Sequence, residues 1–140
     1  MSAREFSFQL MRMQALFHKR LLKDLEATGL STGQPKVLAF LKSHEGYSQK
    51  EIARACQLEP GSVTVLLKRM EQQGILERRL REGDQKTRCV YLTGRGRELA
   101  ASAVESFFRT EERAFSGFRE EEKAQLMDYC RRIVENLQGE

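Results

Sequence analysis

The sequence predicts a mainly α fold with a small β-wing and long helices at both ends, and three observations carry that expectation. Residues 48–92 read as two short helices followed by two strands around a charged turn. The stretches before and after this segment repeat apolar residues every three or four positions, the mark of amphipathic helices. Glycines stand where those repeats stop, at Gly29, Gly74 and Gly117. A length of 140 residues fits one compact domain. The expected division is a single domain over 1–140, in which 31–92 form the winged helix-turn-helix and 1–30 and 93–140 supply dimerisation helices.

The first helix is expected over residues 5–28, where Phe6, Leu10, Met13, Phe17, Leu21 and Leu25 recur at helical spacing and Gly29 stops the run. Thr32 is placed to cap a second helix reaching about Lys42, with Val37, Leu38 and Leu41 facing inward. Ser48 and Glu51 have capping-box spacing, and Ile52, Ala53 and Cys56 follow at helical intervals. Pro60 cannot continue that helix but suits the first turn of the next. There Val63, Leu66, Leu67 and Met70 fall at i, i+3, i+4 and i+7, one apolar stripe. Strands are expected from Ile75 to Arg81 and from Arg88 to Leu92, joined by a turn at Gly83-Asp84. Thr93 caps a helix running to about Ser116, with Leu99, Ala103 and Phe107 on one side. Beyond Gly117, residues 120–137 carry the stripe Leu126, Tyr129, Ile133 and Leu137.

Two short helices followed by a charged hairpin is the arrangement of a helix-turn-helix with a wing, a shape that binds duplex DNA. The face of the second short helix away from its apolar stripe carries Gly61, Thr64, Val65, Lys68 and Gln72, flanked by Ser62 and Arg69. That face has cations and no acid, as a surface meeting phosphates should. Ser62 and Thr64 are short hydroxyls able to reach phosphates or base edges, and Gln49 is placed to touch the DNA backbone. In the wing, Arg81, Lys86 and Arg88 are expected along the minor groove. Asp84, being anionic, is expected to hold the turn and orient Lys86 or Arg81. Arg78 is expected to pair with Asp84 or Glu71 and fix the wing against the recognition helix. The competing account of all these cations is a solvated charged face. Net charge is only +4, but Lys and Arg outnumber acids from Lys68 to Arg97 while 105–140 lean acidic, which puts the positive field on the winged region.

Matching residues run through much of the chain: Gln34, Val37 and Leu38; Gln49, Glu51, Ile52 and Ala53; Ser62, Val63 and Thr64; Arg69, Met70 and Glu71; Gly74 to Arg78; Asp84; Leu92, Thr93 and Gly96. In this order and spacing, the block from Gly29 to Leu99 resembles the MarR family of bacterial winged helix-turn-helix regulators. Two positions depart from the family pattern. Val65 stands where an Arg is usual, and Asp84-Gln85-Lys86 stands in place of Asp-x-Arg. Val65 either meets a thymine methyl or marks a site that gave up the Arg contact. The resemblance implies a dimer on a pseudo-palindromic DNA site, repression by covering a promoter, and release by a small aromatic effector. It also implies an effector crevice, whose lining here would be Leu16, Phe17, His18, Arg20, Leu21, Val37, Phe40 and Leu41, with His18 or Arg20 pairing a carboxylate. The alternative for these residues is core packing.

The first helix carries more apolar surface than one stripe, and Phe107, Phe108, Phe115 and Phe118 add to it near the other end. A small winged domain cannot bury all of this, so the expected cover is an identical chain. No catalytic motif is present: no HExxH, GxSxG, phosphate loop or dinucleotide fingerprint. His18 and His44 are far apart. Glu111-Glu112 and Glu120-Glu121-Glu122 are helix-terminal charges. No catalytic residue, metal site or cofactor is expected. Cys56, Cys89 and Cys130 form no CxxC pair and read as small hydrophobes. The opening MSAREFSFQL lacks a signal peptide's apolar run, and no run approaches the roughly 18 residues needed to span a bilayer, so a cytoplasmic protein is expected. The rival reading is a winged-helix protein-interaction module without DNA binding.

Overall fold

The computed structural model describes residues 3–84 and 86–139. Met1, Ser2 and Glu140 of the expected domain, and Gln85 of the expected wing, lie outside the described residues. The elements are α1 (Ala3–Asp24), a 3-10 turn (Glu26–Thr28), α2 (Gln34–Ser43), β1 (Tyr47–Ser48), α3 (Gln49–Ala55), α4 (Pro60–Gln72), β2 (Leu76–Leu80), β3 (Arg88–Leu92), α5 (Gly94–Ala114) and α6 (Glu120–Gln138). The chain divides into two compact units, Met1–Phe108 and Arg109–Glu140, with α5 crossing the boundary.

In the first unit α1 ends four residues before the expected stop, because the chain tightens into the 3-10 turn. There the Thr28 backbone N–H donates to Leu25 O at 2.9 Å and Gly29 N–H to Glu26 O at 3.2 Å. Thr32 does not cap α2. Gly33 occupies the cap, and Gln34, fully buried, accepts from Ser31 N–H at 3.1 Å instead. Ser48 and Glu51 form the reciprocal capping box that the spacing predicts. Pro60 opens α4.

The sheet has three strands rather than two, antiparallel in the order β1-β3-β2. β1 has only two residues, Tyr47 opposite Val90 and Ser48 opposite Cys89, too few for any alternation to show in sequence. The wing strands pair from Leu76↔Leu92 to Leu80↔Arg88. The core fills the space among α2, α3, α4 and the sheet with Val37, Leu38, Leu41, Ile52, Val63, Leu67, Met70, Val90 and their neighbours. Each large side chain buried in this way stabilises the fold by about 1.5–3 kcal/mol. Cys56 and Cys89 are inside and Cys130 is exposed; burial pushes the Cys56 thiol up.

Thr93 caps α5 as expected: its hydroxyl oxygen accepts from Gly96 N–H at 3.0 Å, and its proton faces Gly74 O at 2.6 Å with Ile75 O at 3.0 Å. Gly96 is obligatory there, because a Cβ would stand 1.9 Å from the Ile75 carbonyl oxygen. In the second unit, Phe115 and Phe118 meet edge to face at 5.6 Å around the turn at Gly117. Arg119 N–H donates to Glu122 at 2.8 Å as α6 begins, and α6 buries none of its residues. Among the described residues no helix is long and apolar enough to cross a membrane.

Candidate nucleic-acid interface

The turn between α3 and α4 is held by the backbone. Cys56 N–H donates to Ile52 O and Leu58 N–H to Ala53 O, both at 2.9 Å, while Gln57 takes a left-handed conformation with φ of 54°. α4 then sets Val63, Leu67 and Met70 into the core. The opposite face, Gly61, Ser62, Thr64, Val65, Lys68, Arg69 and Gln72, is exposed as the pattern predicts. Val65 is 70% exposed.

The wing is built on Asp84. Past the end of the strands Arg81 N–H still reaches Thr87 O, and Asp84 N–H turns back to Arg81 O, each at 2.9 Å. The Asp84 carboxylate accepts from Lys86 N–H at 2.8 Å and Thr87 N–H at 3.2 Å. Hydrogen bonds from Thr87 and Lys86 hold this carboxyl below its ordinary range. Asp84 thus holds the turn, as expected, and does so through backbone donors, leaving the Lys86 and Arg88 side chains exposed. The Arg81 guanidinium turns away, to the Glu51 carboxylate and, at 3.5 Å, to Gly46 O. That hydrogen bond, with the one from Ser48, keeps Glu51 below the usual carboxylate range, and Glu51 in turn raises Arg81. The base of the wing is thereby tied to the capping box of α3.

A second tie joins all three parts of the motif. Arg78 on β2 donates to Gln49 Oε1 at 3.0 Å and pairs with Glu71 of α4 at 3.7 Å, not with Asp84. Gln49 Nε2 donates to Thr64 Oγ1 at 2.6 Å, and Thr64 Oγ1 donates to Pro60 O at 3.0 Å. Gln49, expected at the DNA backbone, has its amide oxygen and one amide N–H engaged by Arg78 and Thr64 of the same chain. A third polar tie escaped the sequence reading. Buried Gln34 donates to Gln73 Oε1 at 2.9 Å, linking α2 to the end of α4. Nothing in the local pattern marks that pair, whose members are 39 residues apart.

The cations of α4, the wing and the arginine that reaches Glu45 divide into two sets. Arg78, Arg79, Arg81 and Arg97 each meet a carboxylate. Lys68, Arg69, Lys86 and Arg88 are exposed, and among the described residues no carboxylate lies within salt-bridge reach of them. The positions expected to line an effector crevice have different surroundings. Phe17 packs against Phe107 with centroids 6.1 Å apart. The His18 ring lies 3.4 Å from Thr32 Oγ1, and Arg20 is exposed. Phe40 stacks on His44 at 4.6 Å and meets Tyr47 edge-on. Leu21, Val37 and Leu41 lie inside the core, the packing alternative raised for them, while Leu16 is exposed.

A family model described as the MarR family matches residues 28–86. The transcriptional regulator PecS of Dickeya dadantii is 30% identical over 131 residues, which cover 91% of this chain and 79% of PecS. The regulator BilQ of Clostridium symbiosum is 27% identical over 110 residues, covering 79% and 76%. Among solved structures, the MepR–DNA complex of S. aureus shares the fold with a TM-score of 0.87 at 24% identity, covering 95% of this chain and 98% of MepR.

Proposed function

The chain belongs to the MarR family, and on that premise we propose that this transcriptional regulator binds duplex DNA sequence-specifically as a homodimer. Each subunit sets residues 60–73 in the major groove and residues 81–88 along the minor groove, and two-fold symmetry calls for a pseudo-palindromic operator. The carrying observation is the division of the cations. Lys68 and Arg69 on α4, with Lys86 and Arg88 on the wing, are exposed and, among the described residues, without a carboxylate partner on the two parts that would meet phosphates, whereas Arg78 and Arg81 are engaged in internal ties. Exposed Phe6, Phe8, Leu10, Met11 and Met13 on α1, and Leu126, Met127 and Leu137 on α6, support a second copy as the cover. Repression follows from a dimer occupying a promoter. Release would come from a small aromatic ligand that changes half-site spacing, with Phe17, His18, Arg20 and Phe40 the side chains open to it. The cytoplasm is the site of action in this reading.

The test is duplex binding across a salt series. Affinity should fall steeply with salt, and Lys68→Ala and Arg69→Ala should each flatten the logarithmic slope by about one unit. Absence of duplex binding at low salt would leave the winged surface as a protein-docking module.

A further inference from the structure

At the centre of the recognition helix no hydroxyl proton is left to donate. Thr64 has one hydroxyl proton, and it goes to Pro60 O at 3.0 Å, while the same oxygen accepts from Gln49 Nε2 at 2.6 Å. Gln49 is held in that position by Arg78, whose guanidinium occupies its carbonyl oxygen at 3.0 Å. With the Oγ1 proton committed to this network, the group of exposed Thr64 without a polar partner is its Cγ2 methyl. The next residue is Val65, 70% exposed and without any core to pack against. Gly61, a turn earlier, contributes no side chain, so α4 can approach a groove floor closely there. Polar reach remains only at the edges of the face, in Ser62 on one side and Lys68, Arg69 and Gln72 on the other.

Four bases show the major groove a pattern of donors and acceptors, and the C5-methyl group of thymine is the one apolar feature among them. An apolar centre flanked by cations fits that feature. We infer that Thr64 and Val65 read pyrimidine C5-methyl groups on the floor of the major groove, while the surrounding cations hold phosphates. This rests on the DNA-binding reading above and gives it a chemical specificity. Thymine and C5-methylated cytosine carry the same group, so both are sources of the contact. Gln49 and Arg78 are positioning residues in this scheme: they fix which side of Thr64 faces out.

The experiment begins with a duplex selected by the protein from a random-sequence library. Each thymine is then replaced singly by deoxyuridine, which removes the methyl and keeps every hydrogen-bonding atom. At the thymines under Thr64 and Val65, in symmetric positions of the two half-sites, each replacement should weaken binding about fourfold, the size of one buried methyl group. The double variant Thr64→Ser, Val65→Ala keeps the hydroxyl network and alters only exposed groups, so circular dichroism should be unchanged. It should bind the thymine and deoxyuridine duplexes equally. A third arm places cytosine or 5-methylcytosine at the sensitive positions. Tighter binding of the methylated form extends the contact to that base, and a thymine effect alone assigns the methyl to thymine. Equal affinity of the wild type for thymine and deoxyuridine at every position, or a ratio that persists in the double variant, would overturn the inference and leave DNA binding intact. Failure to retain any duplex at low salt would overturn the DNA-binding reading itself.

Discussion

In α4, Val63, Leu67 and Met70 are completely buried, whereas in α6 Leu126, Met127, Tyr129, Val134 and Leu137 all stand exposed. Both helices carry apolar residues at helical spacing. The difference is what each has to pack against. α4 meets a counter-surface from its own unit, made by α2, α3 and the sheet, and polar bridges from Gln34, Gln49 and Arg78 lock it there. α6 buries no residue. An amphipathic stripe therefore states that a helix needs an apolar neighbour without stating whether that neighbour is in the same chain. For the winged segment the answer is internal; for α6, and for the first half of α1, it is a second copy in the reading proposed above.

The largest test of that contrast is Leu126→Asp on α6. By two-fold symmetry the change occurs twice, and each lost burial is worth about 2 kcal/mol. The dimer dissociation constant should therefore rise about a thousandfold in sedimentation equilibrium, with helical content retained. An unchanged constant would remove α6 from the interface. Next in size is Gly96→Ala in the winged unit. Its Cβ would sit 1.9 Å from a backbone oxygen that cannot move without shifting the start of β2, so thermal unfolding should show a loss of about 3 kcal/mol. A loss near zero would show that α5 is free to move away from β2. The smallest effect belongs to the tie between wing and α3. Glu51 is held below its ordinary value of 4.5, so the carboxylate contributes stability in full above that pH and loses it as pH falls through its lowered value in the folded protein. The gap in melting temperature between wild type and Glu51→Gln should be constant above pH 4.5 and close below it. A gap independent of pH would mean that the charge of Glu51 contributes nothing.

The helices of the winged unit were legible because local chemistry sets them. Ser48 with Glu51 makes a capping box, Pro60 opens α4 and Thr93 caps α5, each within a few residues of its partner. The outward face of α4 followed from the same periodicity. β1 was not legible, since two residues show no pattern, nor was the cap of α2, where Gly33 and Gln34 replaced Thr32. The roles of Gln49 and Arg81 also lay beyond the sequence. Both have the chemistry of DNA contacts, and both are engaged by partners that the fold delivers from 15 to 30 residues away.

By itself the sequence determined the order of elements, the buried stripe of α4 and the cationic face opposite, because periodicity, caps and turn residues act over single helical turns. The tertiary structure alone decided which polar groups remain for DNA. Whether Thr64 presents a hydroxyl or a methyl, and whether an arginine is free or paired, depends on donors and acceptors that become neighbours only when β2, α3 and α4 close around one another. Neighbouring donors and acceptors pair when the fold brings them within reach, each such bond contributing about 0.5–1.5 kcal/mol. On α4 and the wing, Ser62, Lys68, Arg69, Gln72, Lys86 and Arg88 remain exposed around Thr64 and Val65.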